Sequence, residues 1–494
     1  MSEYLHGAYG KIQPVGNRVA DTSLSAIVYV GTAPVHTLEG GASKVNKPIL
    51  VNNIAEARNL LGYSEDWAKF TLCEAMHAHL VRQGVGPLIF INVLDPTVHK
   101  SSEATTSSLT PANGRITVAN AESIILDTVT VAAGQTAKVK GTDYSISYNS
   151  EKKVIVISEL SAGSLGSSAL TVSYYTIDAT AVTASTVIGS SDGAGLNTGL
   201  YAVKNVYQET GHIPAFLAAP GFSSIPAVHT AMGQISANIN GHWTAYLFAD
   251  LPIVHNDTAV TLATAATWKA SNGYNLENET VYFPLAEGVD GKIYHLSVLA
   301  AANFQSLLLE QDGIPWRTAS NTACPVIQNL YLGAAAVGGV YDDTLINEKL
   351  CKNGIASAAF VGGRWVIWGC HSADYSVATG DPINVAETNR MMLYYICNDF
   401  QHRRPRNVDK PMSANDLQSI LSEEQTRLDA LLKIGALTYG EVHLNASAEA
   451  RSDIMQGDSS FVFNVTTTPL AKSLTAIVNW TDEGFVAYFE HVAW

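Results

Sequence analysis

The chain has 494 residues, 47% of them hydrophobic and 15% charged, with a formal net charge of -15. Such a length exceeds one core and predicts about three domains, and such a composition excludes a disordered chain. A general nucleic-acid binder needs a basic face, and 29 Lys and Arg against 44 Asp and Glu exclude that class too.

Cys73, Cys324, Cys351, Cys370 and Cys397 are odd in number and far apart, poor material for a disulfide framework. A reducing compartment is the expected setting. The start MSEYLHGAYGKIQ has no basic segment leading into an apolar core, and no run reaches about 18 unbroken apolar residues. Neither a secretion signal nor a membrane span is expected, and folding in a cytoplasm follows.

The first residues, with Gly7, Gly10, Pro14 and Gly16, read as an arm. SAIVYVGTA (25–33) predicts a buried strand, a helix follows over about 65–83, and GPLIFINVLD (86–95) predicts a second buried strand. Strand, helix, strand indicates α/β architecture. From about His99 the texture turns to Ser, Thr and Gly with short alternating runs, ESIILDTVTV, DYSISYN, KKVIVISE and ALTVSYY, which predict a β-sandwich or barrel. α/β texture returns with a helix near 198–208, the strand AFLAAPG, a helix near 225–238 and the strand TAYLFADLP. The last region holds the strand RWVIWGC, a helix near 385–400 and a helix over 413–433, with Ser413 and Asp416 forming an N-cap after Pro411. SSFVFNVTT, SLTAIVNWT and EGFVAYFEHV then read as strands.

These textures give a multidomain α/β chain: an arm over 1–24, the first part of the α/β body over 25–98, an inserted β-sandwich over 99–186, a central α/β domain over 187–350, an α+β C-terminal domain over 351–480 and a C-terminal arm strand over 481–494.

Motifs for chemistry are sparse. GxxxxGK[ST], HExxH, GxSxG and paired CxxC do not occur. Cys73 with His77, and His79 beside them, have the spacing of a helical zinc pair, with Glu74 near, but no second pair follows, and a partly buried helix surface is the expected reading. Trp365 and Trp368 read as core packing. The run GSSDGAG (189–195) lacks a P-loop lysine and reads as a connection. Sequons at Asn464 and Asn479 carry no meaning without a secretory route. No catalytic, cofactor-binding or metal site is assigned, although an enzyme on the α/β core and an exported surface adhesin with a β-sandwich are the rival readings.

Two features bear on assembly. QHRRPRNVDKP (401–411) gathers Arg403, Arg404, Arg406 and Lys410 against the single acid Asp409. Clustered like charge is costly unless solvent screens it or an acidic surface meets it. At the end of the chain, Phe485, Val486, Ala487, Tyr488, Phe489 and Glu490 alternate as an edge strand does, a liability unless another sheet pairs with it.

In order along the chain, several segments resemble the contractile phage tail sheath family, also found in contractile bacteriocin particles. YLHGAYGKIQPVGNR, with Tyr4, Leu5, His6 and Gly7, looks like the family's N-terminal arm, and NKPILVNNIAEARNLLG resembles its P-x-x-I-x-N-x-x-E-A region. ALTVSYYTIDATAVTASTVIG followed by TGLYAVKNVYQETGHIPAFLAAPGFS is similar to the junction into its central domain. LINEKLCKNGIASAAFVGGRWVIWGCHS and NVDKPMSANDLQSILSEEQTRLDALLKIGAL resemble the passage into its C-terminal domain and the helical segment that follows. The resemblance implies a non-enzymatic subunit without cofactor that stacks as rings, expected to be hexameric, around a tail tube and meets baseplate and tail terminator proteins. It implies neither nucleic-acid binding nor stable membrane insertion. It also implies a subtilisin-like core in shape but not in chemistry, with the basic patch facing the tube.

Overall fold

The computed structural model describes residues 18–19, 23–333, 341–377, 380–445, 447 and 454–485. By contact the chain divides into two compact units, Met1–Lys410 and Pro411–Trp494.

The first unit is organised by an eight-stranded mixed sheet. Its strands are β1 (Ala26–Gly31), β2 (Pro48–Val51), β3 (Leu88–Asn92), β4 (Pro214–Ala218), β5 (Tyr246–Asp250), β6 (Glu279–Tyr282), β7 (Ile355–Val361) and β8 (Arg364–Trp368). In space they run β8-β7-β6-β5-β4-β1-β3-β2. The six central strands are parallel, and β2 and β8 pair antiparallel at the two ends. β1, β3, β4, β5 and β6 are buried at every position, which is why most of them read as apolar runs, the buried polar exceptions being Asn92, Asp250, Glu279 and Thr280.

The expected strands over 25–33, 86–95 and 244–252 are therefore present in shorter form. RWVIWGC, read as a strand of the C-terminal region, closes this main sheet together with β7, a strand the sequence reading did not single out, because β7 pairs with β6 through Val281↔Ile355 and Tyr282↔Ala356. The helix expected over 65–83 begins only at Leu72 and runs as α-helix to Met76 and as π-helix over His77–Gln83. Residues 66–70 form a turn in which Phe70 N–H donates to Asp66 O, and Leu72 N–H is taken by Thr32 O.

Five longer helices of this unit are α1 (Ile54–Leu61), α2 (Pro226–Ala237), α3 (Ala265–Ser271), α4 (Leu296–Glu310) and α5 (Glu387–Arg403). Asn53 caps α1 by accepting from Glu56 N–H. α4 is buried nearly throughout, and a helix apolar on all sides has no stripe for periodicity to single out.

Residues 105–174 build two further antiparallel sheets, of three and four strands, around their own apolar cluster of Ile116, Val131, Ile157, Val172 and neighbours. ESIILDTVTV, expected as one strand, is two 3-10 turns followed by a strand over Thr130–Ala133. The chain enters and leaves this block side by side: Asp178 N–H donates to His99 O at 2.9 Å and Ser101 N–H to Thr176 O at 2.8 Å. Polar contacts tie it to the body. His36 Nε2 bonds Glu122 O at 2.8 Å, Gly40 N–H donates to Asp127 Oδ2 at 2.9 Å, and Lys140 pairs with Glu39 at 2.9 Å.

The second unit contains α6 (Ala414–Lys433) and an antiparallel hairpin of β9 (Leu437–Leu444) and β10 (Phe461–Thr467). Ser413 and Asp416 cap α6 reciprocally, as the sequence predicts. Among the described residues no helix is long and apolar enough to cross a membrane.

Candidate assembly surface

The basic run does not present four equivalent charges. α5 continues through Arg403, and a 3-10 turn follows over Arg404–Asn407. Within that last helical turn Arg403 forks onto Asp399 one turn earlier, Nε to Oδ1 and Nη2 to Oδ2, both at 3.0 Å. The Arg404 guanidinium lies 5.8 Å from the Phe400 ring centroid and the residue is buried. Arg406 and Lys410 are exposed. Spacing along the sequence showed four cations; helical geometry turns one to a carboxylate and buries another.

In the second unit the hairpin β9–β10 is a two-stranded sheet, with no further strand on either edge among the described residues. α6 packs on β9, where Val442 and Leu437 are buried, while Tyr439 remains exposed. A hairpin alone is marginal in water, so the helix supplies part of its support. Beyond Thr467 the chain was expected to continue as the strand SLTAIVNWT. Residues 469–481 instead form neither strand nor helix, and all of them but Leu470 are exposed. Leu474, Ile477, Val478 and Trp480 stand 92%, 83%, 89% and 81% exposed. Four large apolar side chains in one short stretch are far more than the scattered single exposures of an ordinary surface. The alternation was legible in the sequence; that no described strand pairs with this stretch was not.

Of the expected arm strand, Phe485 is described. It is 56% exposed and sits in a helical turn with its N–H on Asp482 O at 2.9 Å. Val486, Ala487, Tyr488, Phe489 and Glu490 lie outside the described residues, as do Tyr4, Leu5, His6 and Gly7. Just after the N-terminal segment, Arg18–Val19 pair in parallel with Val85–Gly86.

The enzyme reading can be examined where an open parallel sheet ordinarily binds its ligand, in the crevice beyond the strand carboxyl ends at the point where strand order reverses. Here that point lies between β1 and β4. Residues 69–72 fill it: Thr32 Oγ1 donates to Lys69 O at 2.8 Å and accepts from Thr71 N–H at 3.0 Å. A Cβ on Gly31 would fall 2.4 Å from Thr71 Oγ1, so the packing there is tight enough to require glycine.

Nearby titratable groups are committed to closed networks. Glu74 accepts from the backbone N–H of His295 at 2.5 Å and pairs with its Nδ1 at 2.7 Å. Burial would lower the His295 pKa, but the Glu74 carboxylate outweighs it and raises the value to about 9. Asp250, pushed up by burial, accepts from Ser297 N–H at 3.0 Å and Ser297 Oγ at 2.5 Å, which anchors the start of α4. Glu387, also pushed up by burial, accepts from Thr280 and Thr318 hydroxyls at 2.6 and 2.7 Å.

The residues weighed as metal ligands have other occupations. Cys73 Sγ accepts from Ser64 N–H at 3.4 Å, and His77 Nδ1 meets Tyr294 Oη at 3.0 Å. His79 is buried between Tyr29 Oη at 2.7 Å and Gln305 Oε1 at 2.6 Å. Gln305 Nε2 donates to Pro87 O, which leaves Oε1 to accept and fixes the His79 proton on Nδ1.

No protein-family profile matches the chain. A tail sheath protein of Burkholderia phage BcepMu is 30% identical to it over 258 residues, 51% of this chain and 50% of that protein. The chain thus spans about half the length of the curated relative it matches. Solved structures extend the likeness in fold. A chain of the anti-feeding prophage baseplate superposes with TM-score 0.55 at 14% identity, covering 97% of this chain and all of that one. A chain of the PVC extracellular contractile injection system sheath complex in its contracted state gives 0.52 at 13% identity, covering 98% and 99%. A sheath tail protein of Desulfitobacterium hafniense gives 0.50 at 11% identity, covering 94% and 100%. At such identities these matches speak for the fold alone.

Proposed function

We propose that this chain, a relative of the tail sheath proteins in sequence and alike in fold to contractile-particle subunits, is a structural subunit of a contractile sheath. Copies polymerise as hexameric rings around a tail tube, between baseplate and tail terminator proteins, and contract to drive the tube through a target envelope. The subunit works by assembly, without catalysis. Its place is the tail of a virion or related particle, built in a bacterial cytoplasm. The α/β body is subtilisin-like in shape, and the block over 99–186 is an inserted β-sandwich projecting from the lattice, where insertions are best tolerated.

One observation carries the reading: the second unit holds an exposed stretch of alternating apolar residues, Leu474 to Trp480. Such a stretch is a liability for a lone chain, and laying it along a sheet edge of a neighbouring copy covers it. We extend the exchanging segment through Phe485 to Glu490 and assign Tyr4 to Gly7 to the opposite arm. Of the basic run, Arg406 and Lys410 are the residues we place toward an acidic tube surface. Exposed ion pairs are worth about 0–1 kcal/mol each, suited to a contact that breaks on contraction.

Negative-stain microscopy of the purified chain tests the function. Hollow cylinders of constant diameter are expected; discrete particles at every concentration and salt would refute it. Deleting 100–184 should leave polymerisation intact, and a folded deletion protein that no longer assembles would remove the outward placement of the block.

A further inference from the structure

Independent of the sheath reading, one side chain of the first unit is set up for chemistry of its own. Lys269 lies on α3 and is 6% exposed. Its Nζ donates to Ala373 O at 2.6 Å. Lys269, Ala373 and Asp374 line a solvent-connected cavity of about 400 Å³ together with Asn275, Lys352 and Tyr375. That space is many times the share of one water, about 30 Å³.

A buried lysine usually sits against a carboxylate within bonding distance. Here the bonded partner is a neutral carbonyl, while the nearby carboxylates are engaged elsewhere. Glu279 Oε2 pairs with His229 at 2.5 Å and Oε1 accepts from Leu276 N–H at 2.9 Å. Asp374 accepts from Ser372 Oγ at 2.7 Å and Asn384 Nδ2 at 2.6 Å. Lys352, 54% exposed and paired with Glu348 at 3.2 Å, adds a cation to the lining.

We propose that Lys269 is a selective acylation site, its amine taking the acyl group of a small acyl phosphate that enters this cavity. The neutral Nζ lone pair attacks the carbonyl carbon and a C–N bond forms. The bond from that carbon to the phosphate oxygen breaks, phosphate leaves with the electron pair, and the surplus proton on nitrogen passes to water. Lys352 meets the phosphate as it arrives and departs. The amide retains one N–H for Ala373 O, so the new group needs no backbone movement.

Burial, opposed by Glu279 and Asp374, lowers the Lys269 pKa to about 8. Against an ordinary lysine this raises the neutral fraction at pH 8 by about two orders of magnitude. Nucleophilicity falls with basicity; with the slope of about 0.4–0.5 known for thiols, a net gain of about tenfold remains.

The full-length chain is incubated with acetyl phosphate at pH 8, the remaining amines are labelled with isotopic acetyl groups, and occupancy is read by peptide mass spectrometry. Lys269 should be acetylated about tenfold faster than the exposed Lys47 and Lys349, with a rate profile that levels off above about pH 8. The proposal is overturned if Lys269 reacts no faster than those two, if its rate keeps climbing beyond pH 9.5, or if the same preference persists in urea-unfolded chain.

Discussion

Replacing Val478 and Trp480 with serine should separate folding of the subunit from its assembly. Both side chains point to one face if the segment is extended, since they are two residues apart. In the single chain they are 89% and 81% exposed, so the double variant should leave monomer stability within about 0.5 kcal/mol of the parent. Once buried against a neighbour, each large apolar side chain contributes about 1.5–3 kcal/mol. The pair therefore removes about 3–6 kcal/mol from each contact, or about two to four decades of pairwise affinity. Urea denaturation of the dilute protein, followed by sedimentation and microscopy at increasing concentration, reads the two quantities apart. An unchanged urea midpoint with assembly abolished or pushed to far higher concentration is expected. A midpoint lowered as by a core substitution would show that the segment packs in its own chain, and unimpaired assembly would show that it is no interface; either result refutes the reasoning.

Three further outcomes are expected. Gly31→Val should destabilise the first unit by about 1–3 kcal/mol or more through overpacking, because a Cβ there meets Thr71 Oγ1 at 2.4 Å; thermal or urea unfolding measures it, and a neutral effect would contradict the filled crevice. His295, with a folded pKa raised to about 9, contributes stability that is complete below its unfolded value near 6.5 and lost as pH rises through 9. That loss, about 1–3 kcal/mol between pH 6.5 and 9.5, should be visible in urea midpoints and shrink in Glu74→Gln; an equal slope in the variant would place the titration elsewhere. Arg406→Glu with Lys410→Glu should weaken assembly on tube at low salt and leave tube-free polymerisation and urea stability unchanged, since both residues are exposed; co-sedimentation with tube across a salt series reads it, and equal binding at all salts would remove the patch from the contact.

Sequence alone determined the buried strands that are apolar almost throughout, as AIVYVG and LIFIN are, because a strand covered on both faces favours apolar residues at nearly every position. It determined the start of α6, because a capping box is local chemistry between Ser413 and Asp416. The order of weak segments also carried the kinship that the BcepMu relative bears out over half the chain.

Tertiary structure alone decided the rest, wherever the cause lies far off in sequence. That β7 and β8 complete the first sheet follows from pairing across more than seventy residues with β6. That Arg403 is spent on Asp399 and Arg404 is buried depends on how far α5 runs, a boundary local propensity does not set. And SLTAIVNWT has the pattern of a strand but, among the described residues, no strand beside it, because alternation specifies a face to be covered and leaves open which molecule covers it.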